Sequence, residues 1–129
     1  MSDEYLALTL AALARAELGL GDWAEAQRYL VEGLEIVLEI GAFIPLLFLM
    51  PVAPLLLAGA DEVERAVEVY ATASSHPFVA NSQLFEDIPG RRIKAAAARL
   101  PPGTVEAAQA RGRALDWWET AAELLEELS

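Results

Sequence analysis

The stretch at residues 40–60, IGAFIPLLFLMPVAPLLLAGA, decides the fold, because its 21 residues carry no formal charge and lie between Glu39 and Asp61. A continuous helix of that length is about 30 Å long, enough to cross the hydrocarbon core of a bilayer. Three prolines interrupt it, and each interior proline removes a backbone hydrogen bond that lipid cannot replace. Both flanks are acidic, whereas membrane helices are flanked by basic residues on the cytoplasmic side. The stretch therefore predicts a helix buried among other helices, starting near Pro45 and kinked near Pro51.

On both sides of this stretch, apolar residues recur at helical spacing, and no segment alternates with a period of two. Ser2 or Asp3 can cap a first helix, and the Gly-Leu-Gly-Asp turn at 19–22 ends it and caps a second. Asp116 can cap the last helix. Further helices are predicted over residues 23–40, 62–74, 91–100 and 103–114, with a short helical turn near 81–85. The fold class is therefore predicted to be all-α.

Composition excludes several classes of protein. The chain has 129 residues, a net charge of −11, no cysteine and a single histidine, His76. Its length fits one domain, and the missing cysteines exclude disulfides, thiolate metal sites and thiol nucleophiles. Phosphate binding needs a basic surface, so nucleic acid is not an expected partner. The acidic start, Met-Ser-Asp-Glu, lacks the basic region of a secretory signal, so a cytoplasmic protein is expected and membrane association is not.

Charge falls into three blocks along the chain. Residues 1–90 carry −11, residues 91–114 carry +5 and residues 115–129 carry −5. The basic and acidic C-terminal blocks cancel, so they are expected to face one another or a partner of opposite sign. In particular, Arg111 and Arg113 are expected to pair with Glu119 or Glu123 across the last two helices.

Motifs for catalysis are missing from the sequence. The strings GxGxxG, GxxxxGK[ST], HExxH and GxSxG do not occur, so no enzyme activity, cofactor or metal site is expected. His76 is predicted to lie at the C-terminal end of a helix and to interact favourably with the helix dipole. The alternative is a metal site shared with Glu86 and Asp87. Gly90 followed by Arg91 and Arg92 is a candidate anion contact at a helix N-terminus. Of the adjacent tryptophans 117 and 118, one is expected to point outward as a contact residue.

Residues 10–14, 21–26 and 30–34 share a pattern of large and small residues on two successive helices. The pattern reads Leu-x-x-Leu-Ala, Gly-Asp-Trp-x-x-Ala and Leu-x-x-Gly-Leu, with small residues at Ala14, Ala26 and Gly33. It is similar to the tetratricopeptide (TPR) signature, in which small residues let paired helices approach closely. A more degenerate second unit follows at residues 61–66 and 70–73, where Asp-Glu-Val-x-x-Ala and Tyr-x-x-Ala repeat the second-helix pattern.

The remainder of the chain resembles the C-terminal TPR region of bacterial MalT-like and STAND-type ATPase regulators. The pieces that carry this resemblance are Ser-x-His-Pro at 74–77, Phe-Glu-Asp at 85–87, Gly-Arg-Arg at 90–92 and Ala-Arg-Gly-Arg-Ala at 110–114. It implies a protein-interaction module, the sensor or effector portion of a regulator in signal transduction or transcription. The ATPase and DNA-binding activities of such regulators belong to other domains and are not implied for this chain.

The TPR resemblance implies antiparallel helix pairs in a short right-handed solenoid, with two pairs in residues 1–76 and a helical cap in residues 77–129 of the same domain. Such solenoids bind partners in a groove lined by their first helices. The groove positions that match the family are Leu8, Ala11, Arg15, Phe48, Pro51 and Leu55. The implied partner is another protein, neighbouring repeats of a larger chain, or a second copy, with association through the first and third helices. The alternative function is a sensor that binds a small apolar ligand with the uncharged third helix and Phe48.

Overall fold

A computed structural model describes residues 2–82 and 89–129, and all secondary structure in those ranges is helical, as the sequence pattern predicts. Residues 83–88, which include most of the predicted helical turn near 81–85 as well as Glu86 and Asp87, lie outside the described residues. The helices are α1 (Asp3–Leu20), α2 (Trp23–Ile40), α3 (Phe43–Leu49), α4 (Ala53–Gly59), α5 (Val63–Ser74), α6 (Pro77–Ala80), α7 (Arg91–Ala97), α8 (Pro102–Ala114) and α9 (Trp117–Leu128).

Local signals in the sequence set the ends of the long helices. The side chain of Ser2 accepts a hydrogen bond from the amide of Tyr5 at the start of α1. Gly21 then ends α1 with a φ of 83°, in the left-handed region that glycine adopts without steric cost. The next residue, Asp22, caps α2 through a 3.1 Å hydrogen bond to the amide of Glu25. The turn therefore spans two residues, and α1 and α2 form an antiparallel hairpin.

The uncharged stretch forms two helices of seven residues each, α3 and α4, rather than one helix kinked near Pro51. Proline has no amide hydrogen, so Pro51 and Pro54 cannot donate the backbone hydrogen bonds that a continuous helix would need there. The chain turns at residues 50–52, where Val52 bonds to the carbonyl of Leu49 three residues earlier. Residues 45–57 are buried except for the half-buried Phe48, so this stretch is the centre of the core.

Packing links the two ends of the chain. Helices α1, α2 and α3 contact one another, α4 packs on α5, and α5 is covered by α7 and α8. Helix α9 does not extend the stack beyond α8, because it packs on α2 and also contacts α5. Gln27 on α2 donates a 2.6 Å hydrogen bond to the carbonyl of Leu128 at the end of α9. The C-terminal helices therefore cover the middle of the molecule, and α1 remains at one side.

Helices α5 and α8 cross at very short range. A Cβ atom added to Gly112 on α8 would lie 2.0 Å from the carbonyl oxygen of Glu68 and 2.8 Å from Cβ of Ala71. The hydroxyl of Thr72 donates a buried hydrogen bond of 2.8 Å to the Gly112 carbonyl across this crossing. Only glycine allows this approach, so Gly112 fixes the position of α8 on α5.

Within residues 2–82 and 89–129, no helix is both long and apolar enough to cross a membrane.

Candidate functional site

The six predicted groove residues do not form one open surface. Ala11, Pro51 and Leu55 are buried inside the chain, so they do not face a partner. Leu8 and Phe48 are half-buried, and Phe48 packs edge-on against Phe78 at a ring distance of 5.5 Å. The groove positions assume an open array of repeats, whereas here α3 and α4 fill the centre of the core.

Arg15 is also half-buried. Its Nη1 atom is shielded from water and has no hydrogen-bond partner among the described residues. Leaving a charged donor unpaired in this way costs free energy, so this nitrogen of Arg15 does not stabilise the fold.

The outer face of α1 is the exposed surface that the prediction missed. Its positions 5, 9, 12, 13, 16 and 20 fall within an arc of about 100° on a helix, and none of them is charged. Tyr5 is 65% exposed, Leu13 38% and Leu20 79%. Ala12 and Ala16 are exposed between them. We call these six residues the α1 outer face; their helical spacing is visible in the sequence.

Arg91 and Arg92, the candidate anion contact, are both exposed at the start of α7. Gly90 precedes them in helical conformation, and no side chain caps the helix there. Helix α7 has only seven residues, too few for its N-terminus to attract an anion strongly. The anion contact therefore stays a prediction from sequence.

His76 begins a helix instead of ending one. Helix α5 ends at Ser74, and His76 is the N-cap of α6, where its Nδ1 accepts a 3.1 Å hydrogen bond from the amide of Phe78. The prediction of a helix C-terminal histidine was wrong because Pro77, at the first position of α6, starts a new helix immediately. The other two residues of the alternative metal site, Glu86 and Asp87, lie outside the described residues.

Both adjacent tryptophans pack inward, contrary to the expectation that one of them points outward. Their ring centres lie 5.2 Å (Trp117) and 6.1 Å (Trp118) from that of Phe43, and both side chains are half-buried. Trp117 also packs edge-on against His76 at 6.0 Å. Phe43 reaches both rings because α9 folds back toward the start of α3, so this aromatic cluster is structural.

An ion-pair network joins α5 to both C-terminal helices. Arg111 on α8 bonds Glu68 at 2.8 Å and Glu64 at 2.9 Å. Arg65 on α5 bonds Glu123 on α9 at 2.9 Å and also pairs with Glu68. The expected pairing of Arg111 with Glu119 or Glu123 was therefore wrong, because α5 lies between α8 and α9 and supplies the partners of both.

Glu68 is the centre of this network, and its side chain is only 14% exposed. Burial by itself raises the pKa of the Glu68 carboxyl, but the hydrogen bonds from Arg111 and Arg65 outweigh burial and leave the pKa below its ordinary value of 4.5. The folded state therefore favours the ionised carboxylate. At pH values above the pKa of the unfolded chain, this preference stabilises the fold. The stabilisation is lost as the pH falls through the lower pKa of the folded state.

We expect Glu68→Gln to lower the free energy of unfolding by about 1–2 kcal/mol at pH 7, because two arginines lose their shared carboxylate. The difference from the native sequence shrinks as the pH falls below 4.5, since protonation removes the same charge. Urea unfolding at pH 7 and pH 3 measures both effects. Glu126→Gln, at an exposed position of α9, is the matched control and should change little at either pH. A cost that does not depend on pH would contradict the ionic explanation.

A cleft of about 270 Å³ opens between α5, α7 and α8. We call it the α5–α8 cleft; it is lined by Val67, Tyr70, Ala71, Ser74, Ser75, Ile93, Lys94, Ala97, Gln109 and Arg113. Its floor is apolar, since Val67 and Ile93 are both 3% exposed. Lys94 and Arg113 are exposed, so the cleft combines an apolar floor with a basic rim.

Two further observations bear on function. In the described ranges, no three His, Asp or Glu side chains lie close enough together to hold a metal ion. Comparison of the chain with protein families, with curated proteins and with solved structures gave no significant match.

Proposed function

We propose that the chain is a non-catalytic module for protein association, which docks a partner helix on the α1 outer face. The observation that carries the proposal is that this face is both exposed and free of charge, in a chain with 20 acidic and 9 basic residues. A surface helix whose outer face is polar needs no partner. Helix α1 differs, because both its inner and its outer face are apolar and the outer face is exposed to water. Burying that side is the favourable step in association.

The proposed partner is a second helix of similar character. A face about 23 Å long and 10 Å wide matches one helix packed along α1. It is smaller than the roughly 800 Å² that each partner buries in a standard interface, so a single docked helix binds weakly. Weak docking suits a switch between neighbours in a signalling or transcription regulator, where a signal changes which surface α1 contacts.

The proposed TPR-like arrangement draws support from the small residues. Ala14, Ala26 and Gly33 are all buried. A Cβ atom on Gly33 would lie 2.8 Å from Cδ2 of Leu49, so α2 and α3 approach closely at that point. In an array of helix pairs, the partner of α1 would be the preceding pair of a larger bacterial regulator. In the isolated chain, the equivalent partner is a second copy.

The alternative of an apolar-ligand sensor built on the uncharged third helix receives less support. Of its residues, Leu46 and Leu49 are fully buried and pack in the core. A ligand there would have to displace core side chains. We therefore assign this stretch to stability.

We expect the native chain to self-associate at high micromolar concentration and Ala12→Glu with Ala16→Glu to weaken this at least tenfold. Two carboxylates on an apolar interface lose their hydration when the interface forms, which opposes binding. Sedimentation equilibrium measures the effect. A concentration series from roughly 10 µM to 1 mM brackets the weak dissociation constant that is expected for a single docked helix.

The matched control for this experiment is Ala110→Glu with Ala114→Glu. These alanines are exposed on α8 at the same spacing of four residues, so the charge change is identical and the surface differs. If both double variants weakened self-association by the same factor, docking on α1 would be contradicted. A native chain that stays monomeric throughout the concentration series would also contradict it.

A further inference from the structure

The α5–α8 cleft is electrostatically unlike the rest of the molecule. The chain carries a net charge of −11, yet none of the ten described residues that line the cleft is acidic, and the cationic Arg113 lies at its rim. Such a local reversal of sign concentrates anions against the repulsion of the whole chain. The C-terminal end of α5 lies at the same place and contributes a partial negative charge of about one half, less than the charge of one arginine.

Arg113 is the residue that makes the reversal effective. The other arginines on α5 and α8, Arg65 and Arg111, each bond carboxylates of neighbouring helices. Arg113 lies two residues from Arg111, which on a helix is about 200° around the axis, so it faces the cleft and not the ion-pair network. Across residues 2–82 and 89–129 no ion pair of Arg113 is present. Its guanidinium is therefore available to hold a carboxylate in a bidentate pair.

The floor of the cleft determines the other half of the ligand. Val67, Ile93 and Ala97 present apolar surface below the basic rim. A dry cavity of about 150 Å³ accommodates benzene, so a cleft of 270 Å³ accommodates a ring with a short side arm. Gln109, one helical turn before Arg113, adds an amide at the same rim.

We propose that the α5–α8 cleft binds a small organic carboxylate of about ten non-hydrogen atoms, with its apolar body on the floor and its carboxylate on Arg113. This activity is independent of docking on α1, because the two surfaces share no residue. For a ligand of this size the dissociation constant is on the order of 0.1–1 mM.

The test titrates phenylacetate into the full chain and follows the amide resonances of Val67, Ile93 and Gln109 by NMR. Saturable shifts at these positions are expected, with affinity at least tenfold weaker for the neutral isostere phenylacetamide. Arg113→Gln should weaken phenylacetate binding at least tenfold. Arg99→Gln removes the same charge from an exposed position two residues beyond α7 and outside the cleft lining, and should change affinity less than twofold.

Three outcomes would overturn the proposal. The first is the absence of saturable shifts up to 10 mM phenylacetate, on the order of tenfold above the weakest expected constant. The second is equal binding of phenylacetamide, which would make the cleft merely apolar. The third is an equal effect of Arg99→Gln and Arg113→Gln, which would show non-specific attraction of anions to surface cations. Because Arg113 is exposed, its substitution leaves the fold intact, and an unchanged melting temperature verifies this.

Discussion

Gly112→Ala is expected to lower the free energy of unfolding by about 3 kcal/mol. The new methyl group would meet the carbonyl oxygen of Glu68 at 2.0 Å, and that atom belongs to the backbone of α5 and cannot rotate away. Overpacking costs about 1–3 kcal/mol where side chains can adjust, so this site lies at the upper end. Moving α8 outward also breaks the buried hydrogen bond from Thr72, which costs about 1 kcal/mol. Alanine has a better helix propensity than glycine, and this gain of about 1 kcal/mol offsets the lost hydrogen bond.

Urea unfolding followed by circular dichroism measures this loss, and a fall in Tm of roughly 10 °C should accompany it. Gly103→Ala on the same helix is the matched control. No atom lies within 4 Å of a Cβ added there, so the substitution should be neutral or stabilise the fold by about 0.5–1 kcal/mol. Equal losses from the two variants would mean that α5 and α8 do not cross at Gly112.

Leu49→Ala is expected to lower the free energy of unfolding by about 2–5 kcal/mol, because it leaves a cavity in the centre of the core. Leu49 is fully buried on α3 and its Cδ2 lies 2.8 Å from the position of a Cβ on Gly33. Filling by water is unfavourable there, since Leu49 belongs to the hydrophobic core cluster and the cavity would be apolar.

The control for Leu49 comes from the same short helix. Ile44 is 56% exposed, so Ile44→Ala should change the free energy of unfolding by about 0.5–1 kcal/mol at most. Chemical unfolding of both variants at one pH gives the comparison. If Ile44→Ala were the more destabilising of the two, the orientation of α3 in the core would be wrong.

The sequence predicts the ends of the helices well, because each end depends on a few adjacent residues. Trp23–Ile40 was predicted with its observed bounds, since Asp22 and Gly41 carry its capping signals. The caps of α1 and α9 were confirmed for the same reason. The break between α3 and α4 was underestimated, because two prolines separated by two residues remove neighbouring hydrogen bonds and their combined effect exceeds a kink.

The arrangement of the helices was less predictable, since it depends on residues far apart in the chain. Blocks of opposite charge suggested that α8 faces α9, whereas α5 lies between them and Glu68 pairs with Arg111. The groove was placed by analogy with an open array, so Pro51 and Leu55 were predicted on a surface and are buried. The α5–α8 cleft requires three helices to meet, and its residues share no periodicity by which the sequence could reveal it.

The contact of α9 with α2 has a consequence for how the chain is made. Roughly 90 residues separate the end of α2 from the end of α9, and a ribosome adding 5–20 residues per second needs about 4–18 s to synthesise them. During that interval the faces of α2 and α5 that α9 finally covers have no intramolecular partner. The nascent chain therefore leaves these faces open to aggregation or chaperone capture until α9 has emerged, and they are covered only then.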